Sequence, residues 1–329
     1  MAGERSTARR TYDRVAVASP SGRAVALAAG VLFWAWLVVR WVANWLGYTT
    51  PFFPAGPFEA LAESLHDDAR IIDATGGALA GLADFVAGFW FWFSDVARIA
   101  ALAVQHLPTL ASGAWTTVVL TVAGILFGLP IAIALSVARV YGGRGARALS
   151  LGYIELLRGT PLLAQLFVLY FGLNLSQYFR DISGGVLPAA AVWVAIVGFT
   201  VNSAAYQAEY IRSALESVEA GQLTAARAIG LSRLEGIRYV VLPQGLRYAI
   251  PGWTNELVYL IKYSSLAAFI TVTELFFEAD TVANETFRYV DMYAVVALFY
   301  LALVLSATGF MGWVEDRVAI PGLSVRGGR

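Results

Sequence analysis

Apolar residues in this chain fall into runs long enough to cross a bilayer, and the polar segments between them alternate between arginine-rich and carboxylate-rich. Runs at 24–46, 113–137, 149–173, 186–208, 249–270 and 292–314 each supply the roughly 20 apolar residues that a helix needs to traverse the hydrocarbon core. The pattern predicts six membrane helices. The segment 78–105 is also apolar, with the aromatic run Phe89-Trp90-Phe91-Trp92-Phe93, but it carries Asp84, Asp95 and Arg98, charges that are costly inside a span. It is predicted as an interfacial or re-entrant helix with Trp90 and Trp92 at headgroup level, inside an external loop over 47–106.

Two interruptions of the pattern carry information. Within the run 149–173, Arg158-Gly159-Thr160-Pro161 places a helix breaker and a charge in the middle of an apolar segment. Proline frees a backbone carbonyl, which a membrane helix tolerates where it faces protein or a water-filled cavity, so a cavity-lining break is expected. Between the runs 186–208 and 249–270 lies a polar, basic stretch over 209–248 with strong local signals. Good helix formers from Ala220 to Ile229 end at Gly230, suited to a left-handed C′ position, with Leu231 following as its packing partner. Ser232 and Glu235 have capping-box spacing, which predicts a second helix running through Ile237, Val240 and Val241 to Pro243.

Charge placement orients the chain. With the six runs as spans, the arginine-rich segments 1–23, 139–147, 209–248 and 317–329 share one side, and the opposite loops are acidic. The positive-inside rule puts both termini and 209–248 in the cytoplasm; counting 78–105 as another span would put the N-terminal arginines outside. On the opposite side, 47–77 is Pro-rich and then acidic, with Glu59, Glu63, Asp67, Asp68 and Asp73.

Composition agrees: 58% of the 329 residues are hydrophobic and only 14% charged, against about a quarter charged in soluble domains. The class is an all-α polytopic membrane protein. Net charge is zero, which gives no reason to expect a nucleic-acid partner, and the absence of cysteine excludes disulfides and thiolate chemistry. His66 and His106 are the two histidines, far apart and outside any ligand-spaced cluster, so no metal site is expected. The single lysine, Lys262, follows Ile261 in an apolar run and belongs to no phosphate-binding Gly-Lys-Ser/Thr turn. No Ser/His/Asp set or HExxH helix is present, so an enzyme is not expected.

Polar side chains in or near the spans mark a candidate solute path: Glu155, Arg158, Thr160, Gln165, Asn202, Asn255 and Lys262. An amino-acid zwitterion presents a carboxylate and an ammonium, which Arg or Lys together with Glu, Asn and Gln match. Glu155 and Arg158, at i,i+3 spacing, are expected to neutralise each other near the cytoplasmic face rather than serve the path. Asn202 and Asn255 fit either a path or interhelical hydrogen bonding. Gly124 and Gly128, four apart, allow close helix approach.

The polar loop, with Gly221-Gln222, Ala225-Ala226-Arg227-Ala228, Gly230-Leu231-Ser232 and Leu242-Pro243-Gln244, resembles the loop by which membrane subunits of ATP-binding-cassette importers dock on their ATPase. Further blocks, Tyr153-Ile-Glu-Leu-Leu-Arg-Gly-Thr-Pro-Leu-Leu163, Gln165-Leu-Phe167, Tyr170-Phe-Gly-Leu173, Asn255, Leu260-Ile-Lys262 and Ser264-Ser-Leu266, are similar to those of the polar amino-acid uptake family over residues 107–317. Two positions depart from the family's pattern: Thr224 stands where Glu is usual, and Tyr263 where a small polar or acidic residue usually follows Lys.

The resemblance implies a permease core of five helices over 107–317, with the span 24–46 as an N-terminal addition. It also implies coupling residues Gly221, Thr224, Ala225, Ala226, Arg227, Gly230, Leu231, Ser232, Leu242 and Pro243. The partners it implies are a second permease subunit in a homo- or heterodimer, two ATPase subunits that bind ATP and Mg, an external solute-binding protein and the lipid bilayer. A self-sufficient, ion-coupled secondary carrier is the alternative, but the Gly-Thr-Pro break has no mate in a second half, as inverted repeats would require. A structural or signalling role leaves that break unexplained.

Overall fold

The computed structural model describes residues 20–74, 80–183 and 188–318, and those residues are helical throughout except for short connections. Expectations that fall on 1–19, 75–79, 184–187 and 319–329 lie outside the described residues. In chain order the helices are α1 (Pro20–Trp45), α2 (Gly56–Asp73), α3 (Ala80–Tyr141), α4 (Arg144–Arg158), α5 (Leu162–Phe167) and α6 (Ser176–Phe179). They continue with α7 (Ala190–Ser217), α8 (Gly221–Ala228), α9 (Arg233–Gly236), α10 (Leu242–Tyr263), α11 (Leu275–Thr286) and α12 (Tyr289–Val318). Four are long and apolar enough to cross a membrane, and two bent pairs, 144–172 and 233–286, bring the number to six.

The core is stacked in three layers. At the end carrying α8 and α9, here the loop end, Ala132, Ile154, Ile211, Leu215, Val241 and Ala249 close on one another. Leu120, Leu166, Phe199, Leu260 and Ile270 fill the middle. Leu37, Leu110, Leu275, Met292 and Leu303 fill the far end. Small residues set the helix spacing: a Cβ on Gly124 would meet Phe199 Cβ at 3.1 Å and one on Gly128 would meet Ala204 N at 3.2 Å, so the Gly-xxx-Gly of α3 is where α7 packs.

α1 runs antiparallel to both α3 and α12. Near its end Asn44 donates to the carbonyl of Pro108 at 2.7 Å and Trp41 stacks on Trp115, while Phe33, deeper, meets Phe299. The additional N-terminal helix is therefore packed on the bundle. Arg40 is buried at the far end, held by Asn44 and the carbonyls of Tyr48 and Thr50 and lying over the Phe52 ring at 4.5 Å.

Three expected boundaries move. The separate interfacial helix expected at 78–105 is the first part of α3, which continues through Pro108 to Tyr141 for 62 residues. From Pro108 to Tyr141 this helix is already about 50 Å long, more than the roughly 40–45 Å of a bilayer with its headgroups. On the part before Pro108, Asp95 and Arg98 pair at 3.5 Å with i,i+3 spacing, which offsets their charges. α2 folds back along this portion as a hairpin, with Ser94 Oγ donating to the carbonyl of Ala62 at 2.9 Å.

Second, the run 186–208 does not end at Ala208, because α7 continues to Ser217. Ile211, Ala214 and Leu215 stay buried, and Arg212 pairs with Glu209 at 3.0 Å and Glu216 at 2.7 Å, the i,i+3 and i,i+4 spacing that supports a helix.

Third, Pro243 does not end the second short helix. α9 passes through a π-turn, Ile237–Val241, directly into α10, with Leu242 N bonded to Ile237 O. The wider turn makes room for the proline ring, and Gln244 Nε2 donates to Val240 O at 2.8 Å.

Candidate functional site

The turn between α8 and α9 is built by local rules. Gly230 has φ +94°, and Leu231 N bonds to Ala226 O at 3.2 Å while Gly230 N bonds to Arg227 O at 3.1 Å, the paired bonds of a Schellman motif. The next helix starts at once, because Ser232 N donates to Glu235 Oε2 at 2.8 Å and Glu235 N donates to Ser232 Oγ at 3.3 Å. The side chain and then the backbone N–H of Ser232, both beside the Glu235 carboxyl, hold it below its ordinary range. Gly236 lets the two helices touch: a Cβ there would sit 2.8 Å from Leu223 Cδ1 and 3.4 Å from Ala226 Cβ.

The resulting knob presents Thr224, Ala225, Arg227, Ala228, Ile229 and Leu234 to the outside. Gly221, Gly230 and Ser232 are also exposed. Ala226 is buried between the two helices, and Leu242 packs in the loop-end core. These two, with Leu231 half-buried, support the knob from behind instead of forming its surface, while Pro243 is exposed at the root of α10. Ile229 and Leu234, 80% and 71% exposed, were not among the candidates. Their signal was faint, since an isolated apolar residue in a helical loop reads as a core contact. Arg233 Nη2 donates to the Tyr141 carbonyl at 3.1 Å, fastening the knob to the end of α3.

The break at 159–161 is real: the segments Arg144–Arg158 and Leu162–Gly172 meet at 100°. Gln165 Nε2 donates to the carbonyl of Leu157 at 2.7 Å and to Thr160 Oγ1 at 2.9 Å, and its Oε1 accepts from Asn202 Nδ2 at 3.0 Å. Thr160, Gln165 and Asn202 therefore clamp the broken helix to α7, and for Asn202 the interhelical reading holds. Tyr153 OH, donating to Val201 O at 2.7 Å, adds a second tie.

The expected Glu155–Arg158 pair is not the one that forms. Glu155 is exposed, and Arg158 reaches Glu209 on α7 at 4.0 Å and lies over the Tyr206 ring at 5.3 Å. Arg158, at the last position of α4, finds both of its partners, Glu209 and Tyr206, on α7. A ladder of alternating charge, Arg158, Glu209, Arg212 and Glu216, follows α7 toward the knob.

Asn255 and Lys262, seven apart, share one exposed face of α10 with Tyr259 and Tyr263. Tyr259 stacks on Tyr263 with centroids 4.1 Å apart and meets Tyr206 at 5.3 Å, so an aromatic row links Arg158 to the Lys262 face. The neighbouring Glu256, not singled out for the path, is fully buried beside Ser203. Glu274, also buried, caps α11 by accepting from Phe276 N and Phe277 N at 2.9 and 2.8 Å. Among the described residues there is no cluster of three or more His, Asp or Glu fit to hold a metal.

Comparison with known proteins meets this geometry. Residues 124–320 match the family described as binding-protein-dependent transport system inner membrane component. The chain is 39% identical over 218 residues to the "Probable amino-acid ABC transporter permease protein YckA" of Bacillus subtilis, covering 66% of this chain and 92% of that one. It is 36% identical over 214 residues to the glutamine transport system permease protein GlnP of Escherichia coli K12, covering 65% and 94%. Among solved structures, an amino acid ABC transporter with histidines superposes with a TM-score of 0.55 at 29% identity, over 64% of this chain and 95% of that chain. A methionine ABC transporter in an inward-facing conformation, at 22% identity and a TM-score of 0.54, shares the fold. These matches decide against the ion-coupled carrier: the chain belongs to the binding-protein-dependent transport family and is a multi-pass permease subunit of an ABC importer.

Proposed function

We propose that this permease carries a polar amino acid or a similar small zwitterion, and that the α8–α9 knob is the element through which a separate ATPase drives it. The carrying observation is the knob itself. A left-handed glycine, a reciprocal capping box and a glycine contact fix its shape, and it holds Ile229 and Leu234 out in solvent at the root of α10. An ordinary solvated loop has no use for exposed apolar side chains on so specified a scaffold.

In this reading the chain pairs with a second permease, identical or related, and two ATPase subunits that bind ATP and Mg grip the two knobs. The termini and the knob lie in the cytoplasm, as the arginine distribution supports. Closure of the ATPases moves α8 and α9 as a body. Because α9 runs without a stop into α10, and Arg233 ties the same body to α3, the displacement reaches the α10 face that carries Asn255 and Lys262. That face, with Arg158 and the tyrosine row, lines the solute path between the two permeases; Arg158 and Lys262 suit a carboxylate, and Asn255 its hydrogen-bonding groups. An external binding protein delivers the solute at the far end. The curated relatives named above are described as amino-acid and glutamine permeases, which supports the substrate class.

The test is co-purification from native membranes with an ATPase assay on the complex. Recovery of a nucleotide-hydrolysing subunit from the native chain, and its loss from Gly230→Arg at equal membrane insertion, are expected. A Gly230→Arg complex that keeps its ATPase and its uptake would sink the coupling role.

A further inference from the structure

Donors from three helices converge on one buried carboxylate at the bend of the span 233–286. Glu274, fully buried, accepts from Phe276 N at 2.9 Å and Phe277 N at 2.8 Å of α11, and from Tyr300 OH of α12 at 2.9 Å. Thr117 Oγ1 of α3 adds a fourth donor at 3.4 Å. Together they fill the roughly four acceptor positions of a carboxylate. Thr117 extends the network: Leu275 N donates to its Oγ1 at 3.3 Å, and Ser264 Oγ, which donates to Ile261 O at 2.8 Å, lies 3.4 Å from it. One set of bonds thus joins α3, α12, the start of α11 and the residue that follows α10.

Packing leaves no slack at this junction. A Cβ on Gly113 of α3 would lie 2.8 Å from Leu275 Cα and 2.9 Å from Glu274 O. The 3₁₀ turn Ser264–Ile270 is held too, since Ala267 and Ile270 are buried with Leu162 and Leu166 of α5. Just after it Thr271 has φ +65°, and its Oγ1 lies 3.3 Å from Tyr170 OH. A β-branched residue in the left-handed region persists where its surroundings fix it. On the other side of Ser264 stands α10, which is continuous with the knob through the π-turn Ile237–Val241. The helix changes from α to 3₁₀ between Tyr263 and Ser264, and such a change inside a span marks a hinge.

We infer that Glu274 is a positioning residue that holds the pivot of the transport stroke: the segment from Ser264 to Phe277 stays on α3 and α12, and α10 turns about Tyr263–Ser264. The inference rests on the knob-driven reading given above. It divides the work along the exposed face of α10. Lys262, two residues from Ser264, keeps its place as an anchor for a carboxylate. Asn255, about 10 Å farther down the helix, is carried through an arc and away from the bound solute.

The chain has no cysteine, so spin labels can be placed in pairs at exposed positions. Gln105→Cys on α3 with Thr281→Cys on α11 reads across the Glu274 junction, and Arg247→Cys on α10 with Thr281→Cys reads across the pivot. Distances are measured by dipolar spectroscopy in the complete transporter in lipid nanodiscs, its partners stripped of reactive cysteine, without nucleotide and with ATP trapped. The 105–281 distance is expected to be the same in both states and the 247–281 distance to shift. Glu274→Gln leaves one of the two backbone N–H groups facing an amide nitrogen that cannot accept. In that variant the 105–281 distribution is expected to broaden and to shift with nucleotide, and less solute to be carried per ATP hydrolysed. A native 105–281 distance that moves with ATP as much as the 247–281 distance overturns the pivot and leaves the knob as driver, whether or not Glu274→Gln assembles. So does a Glu274→Gln transporter with native distances and native uptake per ATP. A native 247–281 distance that ignores ATP overturns the knob-driven reading, and this inference with it.

Discussion

Arg158 stands 4.0 Å from Glu209 on the neighbouring helix, and Glu155, one turn back on its own helix, is left in solvent. Glu209 also accepts from Arg212 Nε at 3.1 Å, so one carboxylate holds two guanidinium groups. Glu209→Gln is expected to cost about 0.2–1 kcal/mol, the range for partly exposed pairs, because the side chains of Arg158 and Glu209 are 41% and 19% exposed. Glu155→Gln is expected to stay within about 0.5 kcal/mol. Thermal unfolding in detergent checks the order, and a larger loss in Glu155→Gln would restore the i,i+3 pair.

The clamp on the broken helix gives a second prediction. Asn202 and Gln165 are joined at 3.0 Å, and Gln165 also satisfies Leu157 O, a carbonyl left without its helical donor by Pro161. Removing either side chain is expected to destabilise by about 0.6–1.7 kcal/mol, as for hydrogen bonds between membrane helices. A double-mutant cycle with Asn202→Ala and Gln165→Ala should be non-additive. Strict additivity would mean that the contact does not hold the break in place.

These two cases mark how far the sequence could be read. The break at 159–161 was legible because Gly159 and Pro161 act on their own backbone, and the knob was legible because Gly230, Ser232 and Glu235 act within a few residues. The partner of Arg158 was not, because Glu209 lies on another helix and comes within reach only through the packing of α4 on α7. The 62-residue α3 was missed for a related reason. Asp84, Asp95 and Arg98 were weighed as charges that set 78–105 apart from the next span, whereas in the structure one helix runs through them, with Asp95 and Arg98 paired at 3.5 Å. Pro108, a plausible helix end, is tolerated inside α3, and its carbonyl accepts from Asn44. Of the path candidates, Asn202 is a buried strut and Thr160 and Gln165 belong to the same hydrogen-bonded clamp, while Arg158, Asn255 and Lys262 face outward.

Gly230 separates backbone strain from steric blockade. Nothing lies within 4 Å of a Cβ placed there, so Gly230→Ala meets only the cost of its positive φ, about 1–2 kcal/mol. Gly230→Ala is expected to retain uptake at reduced thermal stability, and Gly230→Arg to lose uptake because its side chain stands out on the exposed face that would meet the ATPase. Equal uptake defects in the two variants would place the cause in the backbone alone.

Acid provides a test of the capping box. The Glu235 carboxyl is held below its ordinary value of 4.5 by hydrogen bonds from Ser232. A lowered folded-state value means that the stabilisation is complete above the unfolded value and is lost as pH falls through the folded one. Amide exchange over residues 231–241, corrected for intrinsic rates, should therefore be flat from neutral pH down to about 4.5 and rise below it. Ser232→Ala should remove that acid dependence. A native chain whose exchange changes between pH 6 and 8 would assign the turn's stability to some other group.

The packing of α3 on α7 supplies the last contrast, between two helical glycines. A Cβ on Gly128 would lie 2.9 Å from Gln207 Nε2 and 3.2 Å from both Ala204 N and Thr200 O, and backbone cannot give way as a side-chain end can. Gln207 is itself pinned, donating to Ile125 O at 3.2 Å and Ser203 Oγ at 3.0 Å. Gly128→Ala is therefore expected to cost about 1–3 kcal/mol through overpacking and to spread α3 from α7. Gly152 on α4 meets nothing within 4 Å, so Gly152→Ala should be neutral or stabilising by up to about 1 kcal/mol from helix propensity. Parallel thermal melts of the two alanine variants decide the matter. If Gly128→Ala melts with the native chain while Gly152→Ala does not, close approach at Gly128 is not what sets the spacing of the two helices.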